Sequence, residues 1–432
     1  MTLKKNVPDF KKLKVGFTPG SFLALADDPS LQKKVCESYV SRVYNVPKSK
    51  RPYPRNRTET DKIRIGYFSS DFHRHATMRL MIRMLELHDK DRFQVHLFDY
   101  TTAEQVQPWK DRIHATACKH HPVAGMLNTE IADLARSEEI DIAIDLKGHT
   151  KNGRPQILMY QPAPASVSYL GHPGTLGIKT IDYIVADPVV IPEDLRRHYS
   201  EKIIYMPESY QVTDDTRKIS ATIPTRAELG LPKDAVVFCC FNANYKITPK
   251  EFDIWMRVMA QVESSVLWLW NLHDEARDNL RSEAQARGMD PDRLIFADSV
   301  EQEDHLARIQ AADLFLDTFA VCAHTTASHA LWAGLPLVTL EGQQFAARVA
   351  SSILHAMEMP ELVTKTPEDY EALILDLAQN PEKLSAIRAK IAQKRETAPM
   401  FDTKRFTRNW ENQLERALLR CEKGLKPDHL MP

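Results

Sequence analysis

Short apolar runs of strand length alternate with longer stretches of helical character along most of this 432-residue chain. The pattern begins with KIRIGYFSSD at 62–71 and IDIAIDL at 140–146, and it resumes with AVVFCCF at 235–241 and LFLDT at 314–318. Strands joined by helices form parallel sheets that helices cover on both faces. The sequence therefore predicts an α/β protein with two Rossmann-like, doubly wound domains. Because ligands bind at the carboxyl ends of such strands, we expect the two domains to face a cleft.

A polar stretch bounded by prolines separates the two halves. We expect five segments in chain order: an N-terminal helical and linker segment at 1–60, a Rossmann-like domain at 61–207, a linker at 208–230, a second Rossmann-like domain at 231–382 and a helical tail at 383–432. Within the first segment, KSKRPYPRNR at 48–57 combines prolines with like charges, which favours a solvated tether over a nucleic-acid patch.

The composition argues against several classes of protein. The formal net charge is -1, so no global field attracts nucleic acid or an acidic membrane. No apolar run approaches the roughly 18 residues that span a bilayer, and MTLKKNVPDFKKLK at the N-terminus lacks the apolar core of a secretory signal. The six cysteines are scattered without a CxxC pair, which favours a reducing, cytoplasmic location. We therefore expect no nucleic-acid partner and no membrane span.

The strongest local signal lies in LDTFAVCAHTTASHALWAGLP at 316–336. A strand ends at Asp317-Thr318, and a helix opens at His324-Thr325-Thr326. The first turn of a helix presents unpaired N–H groups and the positive end of the helix dipole, which together bind anions such as a diphosphate. A threonine that merely caps the helix explains the segment equally well. The chain has no GxGxxG or GxxxxGK[ST] loop, so a dehydrogenase or a P-loop enzyme is not expected.

Two more polar segments follow predicted strands. Lys246 comes after the strand in CCFNANYKITP at 239–249, where an ammonium group can neutralise a departing diphosphate. His73 and His75 come after the first strand in SSDFHRHATMRL at 69–80, where a histidine can act as a general base or orient an acceptor. A surface lysine and a capping histidine are the corresponding structural alternatives.

Two weaker signals and one absence bear on the same site. The loop YLGHPGTLG at 169–177 offers amides to a sugar or phosphate, although a simple turn has the same composition. Arg348, near a helix start in GQQFAARVASSIL at 342–354, is either a ligand contact or a solvated arginine. No HExxH motif and no DxD flanked by apolar runs occurs, so we expect no metal, with the lysine and the helix start in its place.

These segments, in this order, resemble the catalytic region of the O-linked N-acetylglucosamine transferases and their SPINDLY-type relatives, which form glycosyltransferase family 41. The resemblance runs from about Lys62 to Trp410 and is carried by runs that include IGYFSSDFHRHAT, IDLKGHT, QPAPASVSYLGHPGTLG, FNANYKITP and HTTASHALWAGLPLVT. The segment at 16–32 is similar to the linker before the catalytic part of bacterial members, and the upstream tetratricopeptide array is not in this sequence. The resemblance implies a GT-B fold and an inverting transfer from a nucleotide-diphosphate sugar.

The same resemblance implies roles for individual residues. His75 matches the family's active-site histidine and Lys246 its diphosphate-contacting lysine, so we expect both to be catalytic. The residues expected to bind the donor are His324, Thr325 and Thr326 at the phosphates, His305 near the base, Gly174 and Thr175 beside the sugar, and His329, Asn242 and Arg348. No cofactor is expected, and the donor substrate is expected to be a UDP-sugar.

One departure from the family pattern bears on the donor. His329 stands where the family has a ribose-binding aspartate, and a neutral imidazole accepts one hydrogen bond whereas a carboxylate accepts from both ribose hydroxyls. We expect transfer of N-acetylglucosamine or another hexose to a hydroxyl, with protein Ser or Thr as the first candidate acceptor. A glycan, lipid-linked or small-molecule acceptor, or a non-catalytic role in binding a nucleotide or a partner, are the alternatives.

Overall fold

The computed structural model describes residues 18–45, 49–58, 60–102, 107–271 and 273–432. The predicted lack of a secretory signal concerns residues 1–14, which lie outside these ranges. The chain divides into two compact units. Of the described residues, 18–23, 28–215 and 402–432 form the first unit, and 24–27 with 216–401 form the second unit.

The strands of the described residues are short and all pair in parallel. In chain order they are β1 (Ile63–Ser69), β2 (Phe93–Asp99), β3 (Lys119–Pro122), β4 (Ile142–Asp145), β5 (Ala165–Ser168), β6 (Tyr183–Ala186), β7 (Lys202–Tyr205), β8 (Val236–Cys240), β9 (Ser265–Trp270), β10 (Leu294–Ala297), β11 (Leu314–Leu316), β12 (Leu337–Leu340) and β13 (Val363–Thr364). The sequence patterns do not predict β3 or β13, because neither has the apolar run of a buried strand.

The helices connect the strands and cover the sheets. They are α1 (Pro19–Leu23), α2 (Pro29–Val43), α3 (Ala76–Leu87), α4 (Gln107–His114), α5 (Asn128–Ser137), α6 (Gln156–Met159), α7 (Pro249–Gln261), α8 (Asp274–Ala286), α9 (Gln302–Arg308), α10 (Thr325–Trp332), α11 (Val349–Ala356), α12 (Pro367–Gln379), α13 (Pro381–Thr397) and α14 (Thr403–Glu422). In the described part of the chain, none of them is long and apolar enough to cross a membrane.

The two sheets follow the same strand order, except that the first sheet has one more strand at its end. The first unit's sheet runs β3-β2-β1-β4-β5-β6-β7, and the second unit's sheet runs β10-β9-β8-β11-β12-β13. In each unit the chain moves outward from a central strand, returns beside it, and then moves outward in the opposite direction. Ligands of doubly wound sheets bind beyond the carboxyl ends of the strands at this switch point. The switch point therefore lies between β1 and β4 in the first unit and between β8 and β11 in the second unit.

Local sequence explains why α7 follows β8 where it does. Thr248 and Glu251 form a capping box, in which the amide of Thr248 donates to the Glu251 carboxylate at 2.7 Å. Pro249 occupies the first position of the helix, where its missing N–H is not needed. Phe252 and Trp255 form part of its buried face. The loop before α7 thus has a fixed end, which limits the positions open to Lys246.

The stretch at 48–57 is not the solvated tether that its prolines and charges predict. Arg51 pairs with Asp182 at 2.7 Å, and Arg55 pairs with the buried Asp141 at 2.6 Å. Arg57 forms a third ion pair, with Glu422 at 2.7 Å. The three arginines of this stretch are therefore paired with acidic side chains of the first unit. Lys48 lies outside the described residues.

The C-terminal part of the chain divides between the units. The stretch expected as one helical tail breaks at Ala398-Pro399, so that α13 belongs to the second unit and α14 to the first unit. The change from the first unit to the second, between residues 215 and 216, falls within the stretch 208–230 that we expect to be a linker. Its early part is nonetheless buried, with Tyr210 and Val212 both below 3% exposed.

A buried hydrogen-bond chain holds α14 on the first unit. The indole N–H of Trp410 donates to the Tyr67 hydroxyl at 3.0 Å, and this hydroxyl lies 2.8 Å from Nε2 of His88. Nδ1 of His88 lies 2.9 Å from the carboxylate of Glu411. Since a carboxylate only accepts, Nδ1 carries a ring hydrogen and donates it to Glu411. Each polar atom named here has a partner, so burial leaves none of them unsatisfied.

We expect Trp410→Ala to destabilise the first unit by about 3–5 kcal/mol, since it leaves a large cavity and removes the donor to Tyr67. Urea unfolding followed by far-ultraviolet circular dichroism measures the change. Leu419→Ala on the same helix is the matched control, because Leu419 is 47% exposed and its loss should change the free energy of unfolding by less than about 0.5 kcal/mol. A change for Trp410→Ala as small as that of the control would show that the packing of Trp410 does not stabilise this unit.

Candidate functional site

The switch point of the second unit brings two loops together. The loop after β8 carries Asn242 and Lys246, and the loop after β11 runs from Asp317 to the start of α10. The ammonium group of Lys246 donates to the backbone carbonyl of Cys322 at 3.2 Å. The predicted lysine and the predicted anion-binding helix start therefore lie next to each other, although they are far apart in the sequence.

A buried carboxylate organises the two loops. Asp317 is fully buried, and it accepts hydrogen bonds from the Asn242 side chain at 3.0 Å, the Ala323 amide at 2.7 Å and the Thr339 hydroxyl at 2.7 Å. Burial raises the pKa of Asp317 to about 6, against the opposing effects of these donors and of Lys246. A carboxylate bonded in this way is ionised at neutral pH and holds the loop after β11 in one conformation.

Asn242 connects this carboxylate to the helix start. Its amide nitrogen donates to Asp317, and its amide oxygen accepts from the Thr326 hydroxyl at 2.5 Å. The Thr326 hydroxyl therefore donates its hydrogen to Asn242. The amides of the first turn have no partner within the helix and point out of its N-terminal end. His324 occupies the cap position and makes no side-chain bond to that turn. Asn242 is a predicted donor contact, and its side chain hydrogen-bonds to Asp317 and Thr326 of the same unit. Donor binding by Asn242 stays a prediction.

The electrostatics of the helix start depend on Lys246. Nε2 of His324 lies 3.1 Å from the carbonyl of Ala346, which only accepts, so this nitrogen carries the ring hydrogen. Burial, and then the charge of Lys246, lower the pKa of His324 to about 3. Burial also lowers the pKa of Lys246 itself, while Asp317 and Cys322 act in the opposite direction. His324 is thus neutral at pH 7, and an anion bound here would favour the charged form of Lys246.

His305 and His329 lie together in the second unit. Their ring centroids are 5.7 Å apart in an edge-to-face arrangement, and the His305 ring makes a similar contact with Phe241 at 5.0 Å. The guanidinium of Arg308 donates to Nδ1 of His305 at 3.3 Å. His329 lies on the buried side of α10, one turn beyond Thr325. The structure therefore groups two residues that the sequence analysis assigns to the base and the ribose.

Three other predicted donor contacts have partners within their own units. Arg348 pairs with Glu341 at 2.9 Å and donates to the Gly342 carbonyl at 2.6 Å, so it is not a solvated arginine. Thr175 is fully buried, and its hydroxyl donates to Glu201 at 2.6 Å. Gly174 packs so closely on Gln32 that an added Cβ would lie 2.0 Å from its side-chain nitrogen. Donor contacts by these residues remain predictions.

The first unit has its own polar cluster at the β1–β4 switch point. Asp71 and Lys147 form a buried ion pair of 2.7 Å, and the Thr77 hydroxyl donates to Asp71 at 3.1 Å. His75 caps α3, where its Nδ1 accepts from the Thr77 amide at 3.2 Å and lies 3.2 Å from a carboxylate oxygen of Asp71. Asp71 and Thr77 therefore hold the predicted active-site histidine in place.

Burial lowers the pKa of His75, although Asp71 acts in the opposite direction and Lys147 adds to the lowering. The ring is consequently neutral at physiological pH, as a general base must be. Two tautomers fit the neighbours. With hydrogen on Nδ1, the ring donates to Asp71, loses the hydrogen bond from the Thr77 amide and leaves Nε2 as a base. With hydrogen on Nε2, Nδ1 accepts from the Thr77 amide and His75 becomes an orienting donor.

The sequence analysis missed three residues that organise these clusters: Asp71, Lys147 and Asp317. Asp71 and Asp317 lie at the polar carboxyl ends of the predicted strand runs at 62–71 and 314–318, and Lys147 follows the run at 140–146. Position at the carboxyl end of a strand was therefore the available signal. The sequence predicts no metal, and its motifs do not indicate two groups of potential metal ligands that the fold assembles. Within the described ranges, these groups are Asp99 with His114 and His120, and His96 with His121 and Glu138. Their members come from separate segments and so match no motif of local spacing.

Comparisons with known proteins point to one family. The model of glycosyl transferase family 41 matches residues 30–222 and 215–410. The probable UDP-N-acetylglucosamine–peptide N-acetylglucosaminyltransferase SEC of Arabidopsis thaliana is 35% identical over 375 residues, which cover 85% of this chain and 38% of that protein. The UDP-N-acetylglucosamine–peptide N-acetylglucosaminyltransferase of Caenorhabditis elegans is 28% identical in an alignment 484 residues long. That alignment covers 85% of this chain and 42% of that protein. This chain spans about two fifths of the length of these relatives.

A solved structure agrees in fold. A mutant of the Thermobaculum terrenum O-GlcNAc transferase superposes with a TM-score of 0.86 at 24% identity, covering 94% of this chain and 78% of that chain. This likeness confirms the prediction of a GT-B fold with two Rossmann-like domains.

We expect the His324 ring to stay neutral, with its hydrogen on Nε2, down to about pH 4, because burial and Lys246 hold its pKa at about 3. Since an unfolded histidine has a pKa near 6.5, the folded state loses stability from this residue as pH falls below about 6.5. Nitrogen-15 chemical shifts of labelled histidine measure both tautomer and pKa, with His324→Gln as the assignment control. Protonation of this ring above about pH 5 would contradict the assigned environment.

Proposed function

This chain belongs to glycosyl transferase family 41, and from that premise we propose that it transfers a sugar from a UDP-linked donor to a hydroxyl group of protein serine or threonine. N-acetylglucosamine is the first candidate sugar, because the relatives from Arabidopsis thaliana and Caenorhabditis elegans are named as UDP-N-acetylglucosamine–peptide transferases. The observation that carries the proposal is the position of Lys246, which donates to the carbonyl of Cys322 two residues before the cap of α10.

The donor diphosphate is proposed to lie at the start of α10. The amides of Thr325 and Thr326 and the positive end of the helix dipole favour an anion there. Lys246 adds a full charge that is worth most when the sugar leaves, because negative charge then grows on the diphosphate oxygen. His324 keeps its hydrogen on the Ala346 carbonyl and contributes no charge at neutral pH.

The same groups support a transfer that needs no metal ion. In many nucleotide-sugar enzymes a divalent cation would balance the departing diphosphate, and here the lysine and the helix start supply positive charge at that position. We propose a single displacement, in which the acceptor oxygen bonds to the anomeric carbon while the bond to the diphosphate oxygen breaks. One displacement inverts the configuration at that carbon, and the acceptor hydroxyl gives up its proton.

His75 is proposed to act on the acceptor hydroxyl. In the tautomer with hydrogen on Nδ1, Asp71 orients the ring and Nε2 accepts the proton of the acceptor. In the other tautomer, Nε2 donates and positions the acceptor oxygen. The buried ion pair of Asp71 with Lys147 holds the Asp71 side chain in place in either case, and so supports a fixed ring orientation.

His305 and His329 are proposed to contact the nucleoside. A neutral His329 offers one donor and one acceptor to the ribose, whereas a carboxylate would accept from both hydroxyls. The edge-to-face contact with His305 fixes its ring plane and limits rotation. We expect this arrangement to bind UDP more weakly than a site with an aspartate at this position.

Lys246→Ala should lower turnover by roughly two to three orders of magnitude, because it removes charge that stabilises the departing diphosphate. The assay incubates the chain with UDP-N-acetylglucosamine and a Ser/Thr-rich peptide in EDTA, and mass spectrometry counts the sugars transferred. Lys250→Ala is the matched control, because this exposed lysine lies in the first turn of α7 and should leave turnover within about twofold.

The outcomes separate the proposal from its alternatives. Turnover of Lys246→Ala within about tenfold of the parent would refute the assigned role. Loss of transfer in EDTA that excess Mg²⁺ or Mn²⁺ restores, and Zn²⁺ does not, would refute metal independence. Consumption of the donor without modification of any polypeptide would favour a glycan or small-molecule acceptor. Calorimetric titration that detects no binding of UDP or its sugars would favour the non-catalytic alternative.

The pH dependence tests His75. Because a base acts only when neutral and the pKa of His75 lies below its usual 6.5, kcat/KM should fall on the acid side only below about pH 6.5. His75→Ala should remove this acid limb and lower turnover by roughly 100- to 10,000-fold. His73→Ala, whose ring centroid lies 5.5 Å away, is the control that should keep the limb. An unchanged acid limb in His75→Ala would assign the titration to another group.

A further inference from the structure

Two adjacent histidines on the edge strand β3 point to opposite faces of the first unit's sheet. His120 and His121 are neighbours, and successive side chains of a strand alternate between faces. Their register partners on β2 are Leu97 and Phe98. Each ring meets another histidine and a carboxylate on its own face, as the two groups of potential ligands show.

The group with Asp99 is compact and has an open nitrogen. One Asp99 oxygen lies 3.0 Å from Nε2 of His120, and the other accepts from the Thr101 amide at 2.8 Å. His114 ends α4, and its ring centroid lies 3.9 Å from that of His120. Nε2 of His114 is buried and has no hydrogen-bond partner among the residues described. A buried ring nitrogen without a partner is unfavourable unless something else occupies its lone pair or takes its hydrogen.

We propose that Asp99, His114 and His120 bind one divalent cation of the zinc class, with solvent completing its coordination. Two imidazoles and one carboxylate are a ligand set that zinc uses in proteins. Ligand atoms held about 2.0–2.1 Å from zinc lie about 3.3 Å apart in a tetrahedron. The three ligand atoms here lie within 4.8 Å of one another, so a closure of at most about 1.5 Å completes the site.

Binding at this group needs no net loss of protons from the two rings. When the ring hydrogen of His120 is on Nδ1 instead of Nε2, the hydrogen bond to Asp99 is lost. The Nε2 lone pair is then available to the ion. His114 likewise offers a lone pair as a neutral ring. Asp99 supplies the negative charge, and its second oxygen keeps the bond to Thr101.

The group on the opposite face is less suited to a cation. There Lys119 already forms an ion pair with Glu138, and Nδ1 of His96 lies 3.2 Å from Nε2 of His121, as in a hydrogen bond between the rings. Arg64 also adds positive charge near His96. A divalent ion would have to displace Lys119 from its carboxylate before it could bind.

The position of the Asp99 group indicates a structural role. Asp99 ends β2 and pairs in register with Ser69, the last residue of β1, while His120 lies on the edge strand and His114 ends α4. An ion held by all three would tie this helix and the short edge strand to the centre of the sheet. This role is separate from the proposed transfer reaction and does not depend on it.

The test uses the full chain without an affinity tag, stripped with EDTA and returned to EDTA-free buffer at about pH 7.5, where histidine is neutral. Titration with Co²⁺ should give visible d–d bands that saturate at about one ion per chain, and Zn²⁺ should displace them. His114→Ala and His120→Ala should each weaken Co²⁺ binding by about tenfold or more. His121→Ala, the neighbouring ring on the opposite face, should retain binding within about twofold.

An isosteric variant covers the case in which an alanine variant does not fold. Asp99→Asn keeps the size of the side chain and should weaken binding by about tenfold or more, whereas Glu138→Gln should not. Circular dichroism establishes folding of each variant before titration. Absence of d–d bands in the parent chain would overturn the proposal. Loss of binding in His121→Ala and Glu138→Gln with retention in Asp99→Asn would also overturn it, because the ion would then belong to the opposite face.

Discussion

The arrangement of the second unit's site depends on the burial of one carboxylate. Asp317 lies at the carboxyl end of β11 with no exposed surface, where an unpartnered charge would strongly destabilise the fold. Its donors come from the loop after β8, from its own loop and from β12, so the carboxylate stabilises the fold only when all three are in place. Because Asn242 also accepts from Thr326, this requirement fixes the start of α10 relative to the loop that carries Lys246.

The first unit solves a similar problem in a different way. Asp71 also lies beyond the end of a central strand, but a lysine from the neighbouring strand end neutralises it at 2.7 Å. The pair leaves a carboxylate oxygen close to His75, whose ring would otherwise rotate about two bonds. Removal of either partner of a buried ion pair is more damaging than the pair is stabilising, since the remaining charge is uncompensated. The ring orientation of His75 therefore depends on the buried ion pair that joins the carboxyl ends of β1 and β4.

Histidines take part in several of the polar groupings that the tertiary structure brings together. In the second unit, the rings of His305 and His329 lie in edge-to-face contact, and both are proposed to meet the nucleoside. In the first unit, the rings of His149 and His172 also lie in edge-to-face contact, and burial lowers the pKa of each. On β3, the His120-His121 pair creates two ligand groups on opposite faces of one strand. In each case the hydrogen-bonding role of the ring depends on its tautomer.

The sequence by itself determined the α/β class, the doubly wound order of elements and the segments that carry Lys246, His75 and the His324–Thr326 helix start, because these follow from local periodicity and from position after a strand. Only the tertiary structure decided which polar groups pair. It joined Asp317 to Asn242 and Asp71 to Lys147, paired Arg51 and Arg55 with buried carboxylates, and brought His114 to Asp99. These pairings depend on strand order and on the length of each connection, which bring together residues that no local pattern relates.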